Sequence, residues 1–184
     1  MCQKVFSRFL GKAGSFGLGS QRKKLFTKPS AMSQKSKILV IHGPNLNMLG
    51  RREPAWYGSA TLEDIDTEIR KTAQEFGTVA ETFQSNYEGA IIEKIHKAVD
   101  GYDALIINPG AYTHTSVAIR DALLLLDIPI IEVHLSNIYQ REAFRHKSFI
   151  ADVATARVAG FGKEGYIMAV RAAAEWIQEL RHLE

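Results

Sequence analysis

A run of four consecutive apolar residues, Ile38-Leu39-Val40-Ile41, is the feature that most constrains the fold of this chain. Because no polar residue interrupts it, the run is typical of a strand that is covered on both faces, as in a parallel sheet between helix layers. The strand must end at the His-Gly-Pro of residues 42–44, and a long polar loop follows. The polar side chains of this loop include Asn45, Asn47, Arg51, Arg52 and Tyr57. Ligands of open α/β sheets bind where such loops leave the strands, so we expect chemistry here.

The rest of the sequence alternates between short apolar runs and amphipathic helical patterns. The predicted strands are 38–41, 78–84, 104–108, 128–134 and 155–160. The helical patterns that follow them are 61–76, 85–99, 116–126, 139–145 and 163–180. The second pattern has a capping signal at 85–88 and places Val99 on its apolar face. Five strands that alternate with five helices predict an α/β fold, a doubly wound five-stranded parallel sheet of flavodoxin-like order 2-1-3-4-5.

Residues 1–36 differ from the rest in charge, and we expect a basic, disordered N-terminal extension to a single catalytic α/β domain of residues 37–184. The extension holds eight Lys and Arg and no acid, whereas the domain holds 15 Lys and Arg against all 20 acids. Two other interpretations of the extension stay open. It can be a transit peptide, or the true translation start can be Met32, so that the residues before it are not part of the protein. Because the basic excess lies in the extension, no nucleic-acid partner is predicted.

The single cysteine, Cys2, excludes an intrachain disulfide framework and fits a reducing compartment. No apolar run approaches the roughly 18 residues of a membrane-spanning helix. We therefore expect a soluble, cytoplasmic protein that does not bind a membrane.

Polar side chains concentrate at three predicted strand exits, 45–57, 108–116 and 134–145, which converge at one edge of a parallel sheet. Pooled with two nearby acids, the candidates are Asn45, Arg51, Arg52, Tyr57, Asn108, His114, Asp121, Glu132, His134, Asn137 and Arg145. Singly, each has a structural explanation: His134 can be a core histidine oriented by Glu132, and Tyr57 a loop aromatic packed on Trp56. Together they indicate a site.

Acid–base chemistry without a metal suits these residues best. Neither HxH nor HExxH spacing occurs, and the carboxylates belong to separate elements, so no metal site is predicted. A tyrosine near arginine can lose its proton more easily, because a cation favours the phenolate. Histidine is the natural acid partner for such a base.

Three long segments resemble the type II 3-dehydroquinate dehydratases: GPNLNMLGRREPAWYG at 43–58, INPGAYTHTSVAIRDAL at 107–123 and IEVHLSNIYQREAFRHKS at 131–148. The resemblance extends over about residues 37–182. It implies a hydro-lyase of the shikimate pathway, which leads to chorismate and the aromatic amino acids. The implied reaction is a cofactor-free anti elimination of water from 3-dehydroquinate, through an enolate, to 3-dehydroshikimate.

The resemblance also assigns roles to individual residues. Tyr57 is the implied base, and Arg52 the residue that keeps the phenol acidic and stabilises the transition state. His134 is the implied general acid, with Glu132 as its orienting partner. Asn45 is expected to position a water or a group near the enolate oxygen.

Substrate binding is implied for Asn108, His114, Asp121, Leu135, Ser136 and Arg145. In the family, the residue that matches Asp121 reaches the site from a neighbouring subunit. The expected assembly is therefore a homo-oligomer, a dodecamer built as a tetramer of trimers. The loop between Gly50 and Gly58 is expected to close over the substrate as a lid.

Two functions from other classes remain as alternatives. A flavodoxin-like electron carrier would need a Ser/Thr/Gly-rich FMN phosphate loop after the first strand, where this chain has Gly43-Pro44-Asn45-Leu46. An inactive binding homologue of the same fold would not need Tyr57, Arg52 and His134, which are all present.

Overall fold

The structure, a computed structural model, describes residues 35–51 and 60–182. The strands of these ranges are β1 Lys37–His42, β2 Val79–Gln84, β3 Ala104–Asn108, β4 Ile130–His134 and β5 Ala156–Ala159. All neighbouring strands are parallel, and their order in the sheet is β2-β1-β3-β4-β5. The predicted flavodoxin-like order 2-1-3-4-5 is confirmed.

The α-helices of the described ranges are α1 Leu62–Glu75, α2 Glu88–His96, α3 Val117–Leu123 and α4 Glu164–His182. The predicted helix at 139–145 is wrong, because this stretch forms two short 3-10 turns, Ile138–Gln140 and Ala143–Arg145. Arg141 between them is extended, and the Asn137 side chain accepts from the Tyr139 N–H, so no continuous helical ladder forms. None of the described helices is long and apolar enough to cross a bilayer.

The prediction that Val99 faces the core is also wrong. Helix α2 tightens after His96, where the N–H groups of Ala98 and Val99 bond three residues back to Ile95 and His96. This tighter turn advances the helix phase, so Ala98 is buried and Val99 is 45% exposed.

Two apolar layers cover the sheet. Helices α1 and α4 pack on one face against alternate strand residues, among them Ile38, Val40, Ile106 and Val133. Helices α2 and α3 cover the residues between these, among them Leu39, Ile41, Leu105 and Ile107. Each such side chain contributes about 1.5–3 kcal/mol by its burial, so the strands form a rigid base for the loops at their ends.

A capping box stands at the start of α1. The Asp64 N–H donates to Thr61 Oγ1 at 3.2 Å, and the Thr61 N–H donates to Asp64 Oδ2 at 2.9 Å. These two bonds satisfy backbone donors that a helix start otherwise leaves unpaired.

Close backbone contact joins the loops that follow β1 and β3. The Gly43 N–H donates to the Asn108 carbonyl at 2.7 Å, and a Cβ on Gly43 would lie 2.4 Å from the Pro109 carbonyl oxygen. Gly110 has a φ of 57°, which favours glycine, and it packs on Pro44. The two exits therefore form one compact corner at the carboxyl edge of the sheet.

The predicted N-terminal extension lies outside the described residues except for its end, Lys35 and Ser36. Ser36 is buried, and its carbonyl accepts from the Val79 N–H at 2.8 Å. Pairing with β2 therefore begins at Ser36.

Candidate active site

A pocket opens at the carboxyl edge of the sheet, where the loops after β1, β3 and β4 meet. Its lining includes seven residues that the sequence nominates, Asn45, Asn108, His114, His134, Leu135, Ser136 and Arg145. Arg141 lines the pocket as well and was not among the predicted residues. The fold thus brings most of the predicted site together, while the role of each side chain stays a prediction.

Six predicted residues are not in the lining of this pocket, among them Arg51 and Asn137. Arg52 and Tyr57, the predicted stabiliser and base, lie outside the described residues. Asp121 is exposed on α3, and its entry from a neighbouring subunit stays a prediction. Glu132 does not line the pocket but bonds to His134, which does.

Glu132 and His134 form a buried hydrogen-bonded pair at the end of β4. They lie two residues apart and so share a face of the strand, with His134 Nε2 2.7 Å from Glu132 Oε1. Glu132 has no exposed surface and His134 is 6% exposed. Because a carboxylate only accepts, Nε2 carries a hydrogen and donates it to Glu132, which leaves Nδ1 for proton exchange with a ligand.

Two hydroxyl groups complete the surroundings of the Glu132 carboxylate. Thr113 Oγ1 and Ser148 Oγ both donate to Oε1, at 2.6 and 2.9 Å. Burial raises the pKa of Glu132, but the hydrogen bond and charge of His134, the Thr113 hydroxyl and the Arg157 charge outweigh it, so the net shift is downward. The group is therefore an ionised carboxylate in the core. Neither hydroxyl was predicted, although Thr113 and Ser148 lie in the second and third of the three segments that resemble the dehydratase family.

Arg157 on the edge strand β5 faces the other carboxylate oxygen. Its Nε lies 3.3 Å from Glu132 Oε2, an ion pair whose geometry is not that of a hydrogen bond. The positive charge offsets part of the cost of burying Glu132. No sequence motif pointed to Arg157, because only the register of β4 and β5, which pairs Glu132 with Arg157, makes them neighbours.

His114 and Arg145 are oriented by bonds that leave part of each side chain for a ligand. His114 Nδ1 donates to the Lys147 carbonyl at 2.7 Å, so Nε2 is the nitrogen that can contact a ligand. Burial lowers the pKa of His114, and the charges of His134 and Arg145 lower it further, against the opposing Lys147 bond. Arg145 Nε donates to Glu142 Oε2 at 2.7 Å, which directs the guanidinium along the pocket wall.

Asn45 has a strained backbone at the pocket. Its φ of 66° is the only positive value among the described residues other than glycine, at a cost of about 1–3 kcal/mol. The Asn45 N–H donates to Asn86 Oδ1 at 2.9 Å, and Gln84 Nε2 donates to the same oxygen at 3.1 Å. Asn86 therefore supports the Asn45 loop. The capping signal predicted at 85–88 supplies no side-chain cap through the observed N-cap of α2, Tyr87, which makes no capping bond.

A doubly wound sheet whose strand ends hold an ionised carboxylate against an imidazole, beside a polar pocket, is typical of an α/β enzyme that uses acid–base chemistry. The model of one family, Dehydroquinase class II, matches residues 36–174. This chain belongs to the class II dehydroquinase family.

Individual relatives agree with this family. A 3-dehydroquinate dehydratase of Acinetobacter baylyi is 56% identical over 144 residues, which are 78% of this chain and 97% of the relative. One of Desulforudis audaxviator is 50% identical over 141 residues, 77% of this chain and 94% of the relative. The crystal structure of the type II dehydroquinase from Propionibacterium acnes superimposes with a TM-score of 0.75 at 42% identity, covering 77% of this chain and 97% of that one.

Proposed function

We propose that this chain is a hydro-lyase that removes water from 3-dehydroquinate to form 3-dehydroshikimate, a step of the shikimate pathway toward chorismate and the aromatic amino acids. The observation that carries the proposal is the Glu132–His134 pair beside the pocket, in a chain 56% identical to a 3-dehydroquinate dehydratase. The chemistry needs a base, a stabiliser of the developing oxyanion and an acid.

The first step is the removal of a proton alpha to the ketone. Tyr57, as the phenolate, takes this proton, and the electron pair of the C–H bond moves toward the carbonyl oxygen to form an enolate. Arg52 favours the phenolate through its positive charge. Asn45 positions a water or a polar group at the enolate oxygen, a role that its strained backbone beside the pocket supports.

The second step breaks the carbon–oxygen bond of the leaving hydroxyl. The enolate returns its electron pair to form the conjugated double bond, and the departing oxygen takes a proton from His134 and leaves as water. The Glu132 carboxylate, 2.7 Å from the ring, compensates the positive charge of the imidazolium before this transfer. Thr113 and Ser148 hold Glu132 in place for this purpose.

The remaining predicted residues bind the substrate. Asn108 and the backbone around Leu135 and Ser136 hold its carboxylate and nearby hydroxyls, whereas His114 and Arg145 contact the ring hydroxyls. All five line the pocket together, which supports a shared ligand. The protein needs no cofactor in this scheme, because every proton moves between side chains and substrate.

We further propose a homo-oligomer, a dodecamer arranged as a tetramer of trimers, in which Asp121 enters the site of a neighbouring subunit. Exposed apolar side chains around Asp121, namely Val117, Leu124 and Leu125, support an interface on this surface. The proposed location is the cytoplasm, where a chain with one cysteine fits the reducing conditions.

The direct test of the function is incubation of the purified protein with 3-dehydroquinate. We expect the ultraviolet absorbance of the conjugated enone product to rise without any added cofactor. If this ultraviolet absorbance does not rise, the proposal is refuted. Yellow protein with flavin absorbance would favour the FMN carrier instead.

A further inference from the structure

None of the described residues at the exit of β2 lines the pocket, yet two of them bond to the loop that carries Asn45. Asn86 Oδ1 accepts from the Asn45 N–H at 2.9 Å and from Gln84 Nε2 at 3.1 Å. Gln84 Nε2 also donates to the Gly43 carbonyl at 3.2 Å. The two amide side chains of this exit therefore bond to the loop on both sides of Pro44.

Backbone groups fix the direction of these bonds. The Asn45 N–H can only donate, so the Asn86 atom that faces it is the amide oxygen. The Gly43 carbonyl can only accept, so the Gln84 atom that faces it is the NH₂ group, which also donates to the Asn86 oxygen. Position 86 therefore needs an acceptor and position 84 needs a donor.

The bond from Asn86 supports a strained backbone conformation. Asn45 has a φ of 66° and a ψ of 0°, and it begins the short 3-10 turn Leu46–Met48 without a side-chain capping bond. A residue with a Cβ adopts this left-handed geometry at a cost, although asparagine tolerates it better than most. Asn86 stabilises it by accepting from the N–H of the strained residue itself. The direction of the Asn45 side chain at the pocket thus depends on the exit of β2.

A second bond ties Asn86 to the other wall of the pocket. The Tyr112 hydroxyl donates to the Asn86 carbonyl at 2.9 Å. Tyr112 belongs to the 3-10 turn Gly110–His114 after β3, and both ends of this turn line the pocket. Because this bond uses the backbone carbonyl of Asn86, a substitution of the Asn86 side chain leaves it in place. The side chain can therefore be tested separately from the backbone contact.

We propose that Asn86, supported by Gln84, is a positioning residue that acts through the backbone of Asn45 to fix the Asn45 side chain for its role at the enolate oxygen. This inference rests on the proposed function, which supplies that role. Asn86 does not line the pocket, so its effect passes through Asn45. Because Asn45 is proposed to act when charge develops on the oxygen, the loss of Asn86 should lower kcat more than it changes KM.

Two amide-to-acid substitutions form the decisive comparison, because each adds one negative charge at the same strand exit. Asn86→Asp keeps an oxygen that accepts from the Asn45 N–H, so kcat should stay within about 2-fold of wild type. Gln84→Glu replaces a donor by an oxygen that faces two acceptors, and kcat should fall about 3- to 10-fold. Equal effects of the two acids on kcat would overturn the inference.

Asn86→Ala removes the acceptor without adding a charge. We expect kcat to fall about 3- to 10-fold, the effect of losing one hydrogen bond, with KM changed less than about 2-fold. Gln178→Ala is the matched control, because it removes an exposed amide that donates to the Phe76 carbonyl away from the pocket, and it should keep both constants. An unchanged kcat in folded Asn86→Ala would overturn the inference. Asn86→Ser, whose hydroxyl is one bond closer to the backbone, serves if Asn86→Ala does not fold.

A double-mutant cycle separates positioning of Asn45 from general support of the fold. Glycine adopts a positive φ without strain and has no side chain to position, so Asn86→Ala should leave the residual kcat of an Asn45→Gly background unchanged. An equal fall of kcat in both backgrounds would overturn the inference. An Asn45→Gly variant with normal kcat would refute the proposed role of Asn45 and the inference with it.

Hydrogen exchange at the Asn45 N–H gives a measurement that does not depend on turnover. We expect this amide to exchange faster in Asn86→Ala and Gln84→Glu than in wild type, while Asn86→Asp and Gln178→Ala keep the wild-type rate. Unchanged exchange in Asn86→Ala would reject the inference even in an active enzyme. The expected pattern of exchange in a protein that does not act on 3-dehydroquinate would support the positioning of Asn45 and refute the proposed function.

Discussion

Glu132 shows how a single residue can hold a charge where there is no water. Three hydrogen bonds converge on its Oε1 from His134, Thr113 and Ser148, and Arg157 faces its Oε2. Burial of a carboxylate costs several kcal/mol unless such partners replace the lost water. The charge is retained next to His134, the proposed acid, which would need a fixed orientation and a compensating negative charge.

The proposed acid and base predict the effect of removing either group. His134→Ala and Tyr57→Phe should each lower kcat by about 10²- to 10⁴-fold, the usual contribution of a positioned acid or base. The measurement is the enone absorbance, with circular dichroism to show that each variant is folded. His96→Ala, which alters an exposed histidine on α2, should keep normal turnover. Near-normal turnover in His134→Ala or Tyr57→Phe would remove that residue from its role.

Glu132→Gln predicts a pH-dependent difference in stability. Because the folded pKa of Glu132 lies below the unfolded value of about 4.3, its charge stabilises the fold above that value, and the stabilisation is lost as pH falls through the folded pKa. The difference in the free energy of unfolding between wild type and Glu132→Gln should therefore be constant above about pH 5 and shrink below about pH 4.

Urea unfolding at several pH values measures this difference. Glu175→Gln is the matched control, since it changes an exposed carboxylate on α4, and it should stay close to wild type throughout. A gap between wild type and Glu132→Gln that persists unchanged to pH 3.5 would contradict the explanation given for the charge.

At the scale of elements, the pocket depends on how closely two loops approach each other. Gly43 after β1 and Pro109 after β3 are in backbone contact, and this contact sets Asn45 and Asn108 side by side. The pairing of His42 with Asn108 in the β1–β3 register gives both side chains the same face of the sheet. Although they share this face, Asn108 lines the pocket and His42 is buried in the core.

Gly43→Ala should destabilise the protein by about 1–3 kcal/mol, because the new Cβ would lie 2.4 Å from a backbone oxygen that cannot move freely. Gly89→Ala is the matched control, since nothing lies within 4 Å of a Cβ there and the position is inside α2. It should stabilise the protein by about 0.5–1 kcal/mol through helix propensity. Chemical denaturation measures both, and equal effects would show that the contact does not matter.

At the scale of the whole molecule, the surface around α3 carries the proposal of an assembly. Val117 and Leu125 are more than half exposed. Val117 begins the short helix α3 that carries Asp121, and Leu125 lies in the turn just after this helix. Exposed apolar groups of this kind mark contact surfaces when they cluster. An interface here would bring Asp121 to a second subunit without any change in the fold.

Leu125→Lys should reduce the molar mass measured by light scattering after size-exclusion chromatography, because a lysine in an apolar interface loses its hydration without a partner. Met168→Lys is the control, since it changes a similarly exposed apolar residue on α4, which covers the opposite face of the sheet. If Leu125→Lys keeps the molar mass of the wild-type assembly, the interface lies elsewhere on the surface.

Removal of residues 1–31 should leave turnover unchanged if the predicted extension is separate from the catalytic domain. The sheet begins to pair at Ser36, and the pocket lining starts at Pro44. Comparison of kcat and KM for the full and shortened chains checks this. A large loss of turnover in the shortened chain would show that the extension contributes to the site or to the fold.

Much of the architecture could be predicted from local patterns. Uninterrupted apolar runs, the capping box at Thr61 and the strand–helix alternation are properties of neighbouring residues, so the sheet order followed from the sequence. Local pattern failed at 139–145, where helical spacing was interrupted by the extended Arg141, and at Val99, where a tighter turn changed the phase. Backbone hydrogen bonds, which the sequence does not display, decided both cases.

The sequence by itself determined the parallel sheet, the edge where the pocket opens and the residue types available there, because each depends on short-range spacing. Only the tertiary structure decided which partners those residues have. Thr113 and Ser148 meet at Glu132, and Asp66 and Tyr166 meet at His42, although each group is scattered along the chain. The physical reason is that hydrogen bonding and desolvation act over a few ångströms in space, whatever the separation along the chain.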